Sequence, residues 1–153
     1  MSEPNYAGNI IIILANLPDF LRTPILKKRM LEFFSMSETE QQEIINNALE
    51  AGPTIPFPNF SKLFKTWLEV MAAISEEQRG LMFSKYISEI SNSPQKLINF
   101  NLDGIFEIFQ SLNVSQKEII VNSVNRIISN MDNDKRMKMF MIIPENAKKS
   151  LGF

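Results

Sequence analysis

The sequence predicts an all-α fold made of stacked helical hairpins, and three observations carry that prediction. Apolar residues recur at three- and four-residue steps along most of the chain. Helix-capping signatures of the form S-x-x-E/Q recur at intervals of 38 and 40 residues. No segment alternates apolar and polar residues between turn signals, as a half-buried strand would. The chain has 153 residues, a length that favours one domain over residues 1–153 and a core large enough to need no disulfide or metal staple.

The capping signatures set the register. Ser37-Glu38-Thr39-Glu40, Ser75-Glu76-Glu77-Gln78 and Ser115-Gln116-Lys117-Glu118 each offer a hydroxyl to the amide three residues on, and a Glu or Gln that can reach back. An apolar residue precedes each signature: Met36, Ile74 and Val114. Only the third unit has an apolar residue, Ile119, where a hydrophobic staple needs it; Gln41 and Arg79 stand there in the first two, so those staples read as incomplete.

Upstream of the caps run the stripes Leu26, Met30, Phe33, Phe34, then Phe64, Trp67, Leu68, Met71, then Leu102, Ile105, Phe106, Phe109, Leu112. Downstream run Ile44, Ile45, Ala48, Leu49, then Met82, Phe83, Tyr86, Ile87, Ile90, then Ile120, Val124, Ile127, Ile128, Met131. The units are thus expected at about residues 23–52, 60–92 and 101–131, each a helix, a short turn and a capped helix.

The flanks complete this order. A short helix is expected over about residues 5–16, and Thr23-Pro24 is expected to open the next with Pro at its first position. Gly52-Pro53 is expected to close the first hairpin. Ser93-Pro94 starts a short helix near residue 94, and 133–142 and 144–151 form a last short pair, capped by Asp132 or Asn133. The segment Gly52–Asn59 carries Pro53, Pro56 and Pro58 around Ile55 and Phe57. It is expected to run extended, either as a crossover strapped down by its two apolar residues or as a recognition strap.

The composition excludes much chemistry. There is no Cys and no His, which removes disulfides, thiolate nucleophiles, the commonest general base and the commonest transition-metal ligand. Ser93-Pro94-Gln95-Lys96 matches an S-x-x-K nucleophile motif without its companion motifs, and Ser before Pro reads better as a helix cap. Asp132-Asn133-Asp134 lacks the Gly and Glu of a calcium loop. The five Gly form no phosphate loop. The expectation is a chain without catalysis, metal or cofactor. A net charge of −1 gives no field for nucleic acid, so none is expected as a partner. The run Ile10–Leu14 is too short for a membrane span, and the chain reads as cytoplasmic.

Charge and methionine are unevenly placed. Residues 30–61 hold no Lys or Arg but do hold Glu32, Glu38, Glu40, Glu43 and Glu50, whereas 126–149 hold Arg126, Lys135, Arg136, Lys138, Lys148 and Lys149. Met137, Met139 and Met141 lie among those cations, beside Phe140, Ile142 and Ile143. A helix apolar on all sides is buried or meets a partner, and Met suits an adaptable surface. Arg126, Lys135, Arg136, Lys138, Met137, Met139 and Met141 are therefore the candidate surface for a protein partner or for self-association.

Two stretches resemble known helical families. Met131-Asp132-Asn133-Asp134-Lys135-Arg136-Met137, with Ile143-Pro144-Glu145-Asn146-Ala147, resembles the helical repeats in the cytoplasmic domain of a bacterial magnesium-transporter family. Met36-Ser37-Glu38-Thr39-Glu40-Gln41 running to Leu49-Glu50-Ala51-Gly52, and Phe109-Gln110-Ser111-Leu112-Asn113-Val114-Ser115, are similar to the duplicated helices of the orange carotenoid protein family. The second resemblance implies a carotenoid between two helical bundles, although Asn46 and Asn47 stand where that family places aromatic residues. Two unrelated families matched about equally point to a shared architecture, and neither kinship is adopted. The expected function is a non-catalytic helical adaptor or regulatory domain. The alternative is a carrier of a lipid- or carotenoid-like apolar ligand in an interior supplied by 12 Phe and 9 Met.

Overall fold

The computed structural model describes residues 6–150. Among them the chain is entirely helical, with nine α-helices packed together and no strand. In order these are α1 (Tyr6–Ala15), α2 (Asp19–Phe33), α3 (Glu38–Ala51), α4 (Phe57–Ala73), α5 (Glu76–Asn92), α6 (Leu102–Gln110), α7 (Val114–Ser129), α8 (Asn133–Ile142) and α9 (Glu145–Ser150). Short 3₁₀ turns, Gly52–Thr54 and Pro94–Leu97, follow α3 and α5. None of the described helices is long and apolar enough to cross a membrane.

The caps hold at two of the three expected places and move at the third. Ser37 accepts from the Glu40 amide at 3.3 Å, and Ser75 from the Gln78 amide at 3.2 Å. In the third unit the cap is Asn113, not Ser115. Its carbonyl oxygen accepts from the Gln116 amide at 2.8 Å, and Gln116 Oε1 accepts from the Asn113 amide at 3.3 Å. Asn113 and Gln116 between them close both halves of the box two residues earlier, so Ser115 falls inside the first turn and Val114 is left exposed rather than stapled. Asn113→Ala is expected to cost roughly 0.5–2 kcal/mol, as for other lost caps. Ser115→Ala should stay within about 0.5 kcal/mol, as ordinary surface changes do. Urea denaturation of the two variants decides between the registers.

Six helix starts share an even spacing, and that of α6, capped by Asn101, falls outside it. The residues before α2, α3, α4, α5, α7 and α8 are Pro18, Ser37, Pro56, Ser75, Asn113 and Asp132, so successive starts lie 19 residues apart, with one place near 94 taken by the 3₁₀ turn. Asp132 caps α8 by accepting from the Asp134 and Lys135 amides.

Prolines and Gly52 behave differently from expectation. Pro24 does not open α2 but lies inside it, because the helix starts at Asp19, where Arg22 is tied to the end of α1. Gly52 does not terminate α3 in a left-handed conformation; its φ is −50° and the chain continues into the 3₁₀ turn. What Gly52 supplies is space, since a Cβ there would stand 2.6 Å from the Phe100 ring. The segment after it is no extended strap: Pro53 and Pro58 start helical turns, where a missing amide hydrogen costs nothing, and Ile55 is buried.

Two apolar clusters form the core. The larger is built on Phe33, Ile45, Met71, Phe83, Ile108 and Ile128, with others around them. The smaller joins Leu14, Ala15 and Leu26 to Ile55, Phe60 and Leu63. Phe64, Trp67 and Phe100 are half-buried and touch both clusters. α4 runs between them, packed against α1, α2, α6 and α7.

Candidate functional site

The seam between the two clusters is where the interior stays open. α4 presents Phe57, Phe60, Phe64 and Trp67 at three- and four-residue steps, so they lie in a row along one side. At 1.5 Å rise per residue that row covers ~15 Å. Phe60 and Phe64 stack with centroids 5.6 Å apart, and Phe64 stacks on Trp67 at 5.8 Å. Phe83 and Tyr86 of α5 meet Trp67 edge-on at 5.7 and 5.5 Å. Phe100 packs against Phe60 at 5.8 Å, over the small surface left by Gly52.

Three neighbouring lobes that share wall residues follow the row. The central one, of about 350 Å³, is lined by residues of α1–α8, including Phe60, Tyr86, Ile105 and Met139. A second, about 250 Å³, lies toward α6 and α9 and shares Phe64, Phe83 and Val124 with the first. A third, about 190 Å³, lies toward α1–α3 and shares Leu14, Leu26 and Ala48 with it. Trp67 lines all three. The central lobe alone, at about 350 Å³, is of the size of small-molecule sites, which run roughly 300–1,000 Å³.

The walls are almost wholly apolar. The only ionisable group in the first two lobes is the Tyr86 phenol, which burial pushes up to about 12, so the wall is uncharged throughout the neutral range. The third lobe alone reaches charged side chains, Arg29 and Glu32 of α2, paired with each other at 3.3 Å and both substantially exposed. They mark a mouth between α2, Met36 and the Ile10–Ile11 pair of α1. Such a site accepts a hydrocarbon body and offers polar contacts at one end only.

The residues singled out from the sequence as a partner surface do not stay together. Lys135, Lys138, Met137 and Met141 are exposed on α8, Met141 at 84% and Met137 at 65%. Met139 is corrected from surface to core: it is 5% exposed and forms part of the central lobe's wall. Arg136 is half-buried and donates to the Ser129 and Met131 carbonyls at 3.3 and 3.0 Å, closing the end of α7. Arg126 is exposed and pairs with Glu76 at 2.6 Å. α8 is therefore not apolar all round; Met139 and Phe140 turn inward and Met137 and Met141 outward.

The S-x-x-K pair is also accounted for. Lys96 donates to Glu89 at 2.6 Å and to Asn46, tying the 3₁₀ turn to α5 and α3.

The aromatic row was only partly legible in the sequence. The Phe64–Trp67 stripe stood out, but Phe57, Phe60 and Phe100 join it only once α4 begins at Phe57 and the segment after α5 folds over Gly52. The signal that could have found Phe57 and Phe60 is their spacing ahead of Phe64, which continues the same stripe.

Fold and site together define an all-helical bundle with an apolar cavity along an aromatic spine. Compared with known families, curated proteins and solved structures, the chain matches none.

Proposed function

We propose that this protein carries an elongated apolar molecule with a polar group at one end. The observation that carries the reading is the group of apolar lobes around Trp67, with charged side chains only at the α2 end. A tightly packed structural bundle leaves few voids larger than a water molecule, so apolar space of this size suits an apolar guest. The adaptor expectation thus becomes the second reading.

Trp67 is the only Trp, so its emission reports the cavity alone. Titration with a conjugated polyene fatty acid should quench it saturably at one ligand per chain. Ala48→Phe, which fills the junction of the central lobe and the mouth, should abolish the quench in a chain that stays folded. Absence of saturation, or an unchanged titration in the Ala48→Phe variant, would sink the carrier reading. Recovery of an apolar molecule with the protein purified from its native cell would name the ligand.

A protein partner is favoured by one observation, the exposed Met137–Met141 face of α8 with Lys135 and Lys138 beside it. Such a face suits an acidic partner or the Glu-rich surface of another copy. The even 19-residue placement of helix starts supports reading the chain as tandem hairpins, an architecture that presents extended surfaces. Met141→Glu should then abolish pull-down of the partner without changing stability.

A further inference from the structure

The helix that rims the mouth also exposes much apolar surface. On α2, Arg22, Leu26, Met30 and Phe33 face inward. The opposite side carries Phe20, 76% exposed, with Leu21, Ile25 and Leu31 exposed as well. Next to the mouth, α1 turns Ile12 and Ile13 outward.

The charges on this edge are one-sided. α2 holds four cations, Arg22, Lys27, Lys28 and Arg29, against two acids, Asp19 and Glu32. Both acids are taken up by arginines of the same helix. Lys27 and Lys28 are exposed and enter no ion pair among the described residues. The acidic residues Glu38, Glu40, Glu43 and Glu50 belong to α3 and leave α2 with its net positive charge.

Large apolar side chains flanked by unpaired lysines on one helix are the composition of an interfacial helix, which buries its apolar residues at the acyl boundary and keeps its cations among anionic headgroups. We infer that this outer face of α2 docks on an anionic lipid bilayer, with its exposed apolar side chains at the acyl boundary and Lys27 and Lys28 among the headgroups. The docking does not rest on the carrier reading.

Vesicle flotation tests it on the full chain without ligand, using phosphatidylcholine vesicles with and without phosphatidylglycerol. The protein should float with the anionic vesicles, release as salt is raised, and ignore the neutral ones. Each lysine at such a surface contributes roughly a five-fold factor, so Lys27→Gln with Lys28→Gln should weaken binding about 25-fold. Phe20→Glu should abolish it. All three positions are exposed, so the variants should keep the wild-type melting temperature and the Trp67 titration. Absence of flotation, equal flotation with neutral vesicles, or flotation that survives Phe20→Glu would each overturn the proposal. So would a dimer, seen by light scattering and broken by Phe20→Glu, in a chain that binds no vesicles. Failure of the carrier reading looks different: vesicles bind, but the polyene fatty acid leaves Trp67 unquenched.

Discussion

Arg79→Leu should lose at least roughly 1–3 kcal/mol of stability, the cost of leaving buried helix-end carbonyls without their donor. Arg79 is 5% exposed and is the fourth residue of α5. Its guanidinium reaches back over the turn to the end of α4, donating to the carbonyls of Met71 at 2.8 Å, Ile74 at 2.6 Å and Ala72 at 3.3 Å, and it also pairs with Glu76. The last carbonyls of a helix have no partner within it, and the negative end of its dipole lies there. One planar cation with a rigid fork of five donors satisfies several of them at once, in a geometry that a compact ammonium does not match. Arg79→Lys should therefore recover only part of the loss. Urea denaturation measures both, with Arg126→Ala as control; its exposed pair with Glu76 should contribute at most about 1 kcal/mol. A loss below about 1 kcal/mol in Arg79→Leu would mean that water serves those carbonyls as well as the arginine does.

The same device recurs. Arg22 donates to the Leu14 carbonyl at 3.1 Å and the Leu17 carbonyl at 2.5 Å, and pairs with Asp19. Gln41 donates to Phe33 at 2.9 Å, and Arg136 closes α7. Each stands four residues after a helix's N-cap, at the position where a hydrophobic staple would place an apolar side chain. Gln41 and Arg79 are thus not incomplete staples but polar ones. Each fastens its helix to the end of the preceding helix.

Met139→Lys should cost several kcal/mol, because its ammonium would enter an apolar cavity wall with no partner. The penalty has a pH signature. Burial holds the folded-state pKa of such a lysine below its unfolded value, so the unfolded chain binds more protons at neutral pH and stability rises as pH is raised toward 10. Thermal melts of the variant across that range should show its deficit shrinking. Met141→Lys, two residues on and 84% exposed, should melt like the parent at every pH. Near-native stability of Met139→Lys would place that side chain in solvent and undo the description of α8.

How far the sequence could be read follows from the distance over which each feature is decided. Helix identity is local: the Leu26–Met30–Phe33 and Phe64–Trp67–Met71 stripes lie within a few turns, and the Ser37 and Ser75 caps act within three residues. The Asn113 cap found in place of Ser115 is just as local, since its box with Gln116 closes within three residues. The all-α class was therefore determined by the sequence alone.

The tertiary structure decided the rest. Whether Arg79 caps α4 or points to solvent depends on the angle at which α5 leaves it. Whether Met139 is core or surface depends on how α8 turns against α5, since its apolar and charged residues are mixed around the helix and leave its facing open. The central lobe exists only because Phe60, Tyr86 and Phe100, brought from three separate segments, come to border the same space. Hydrogen-bonded turns are written in neighbouring residues; voids are a property of how distant surfaces fail to fit.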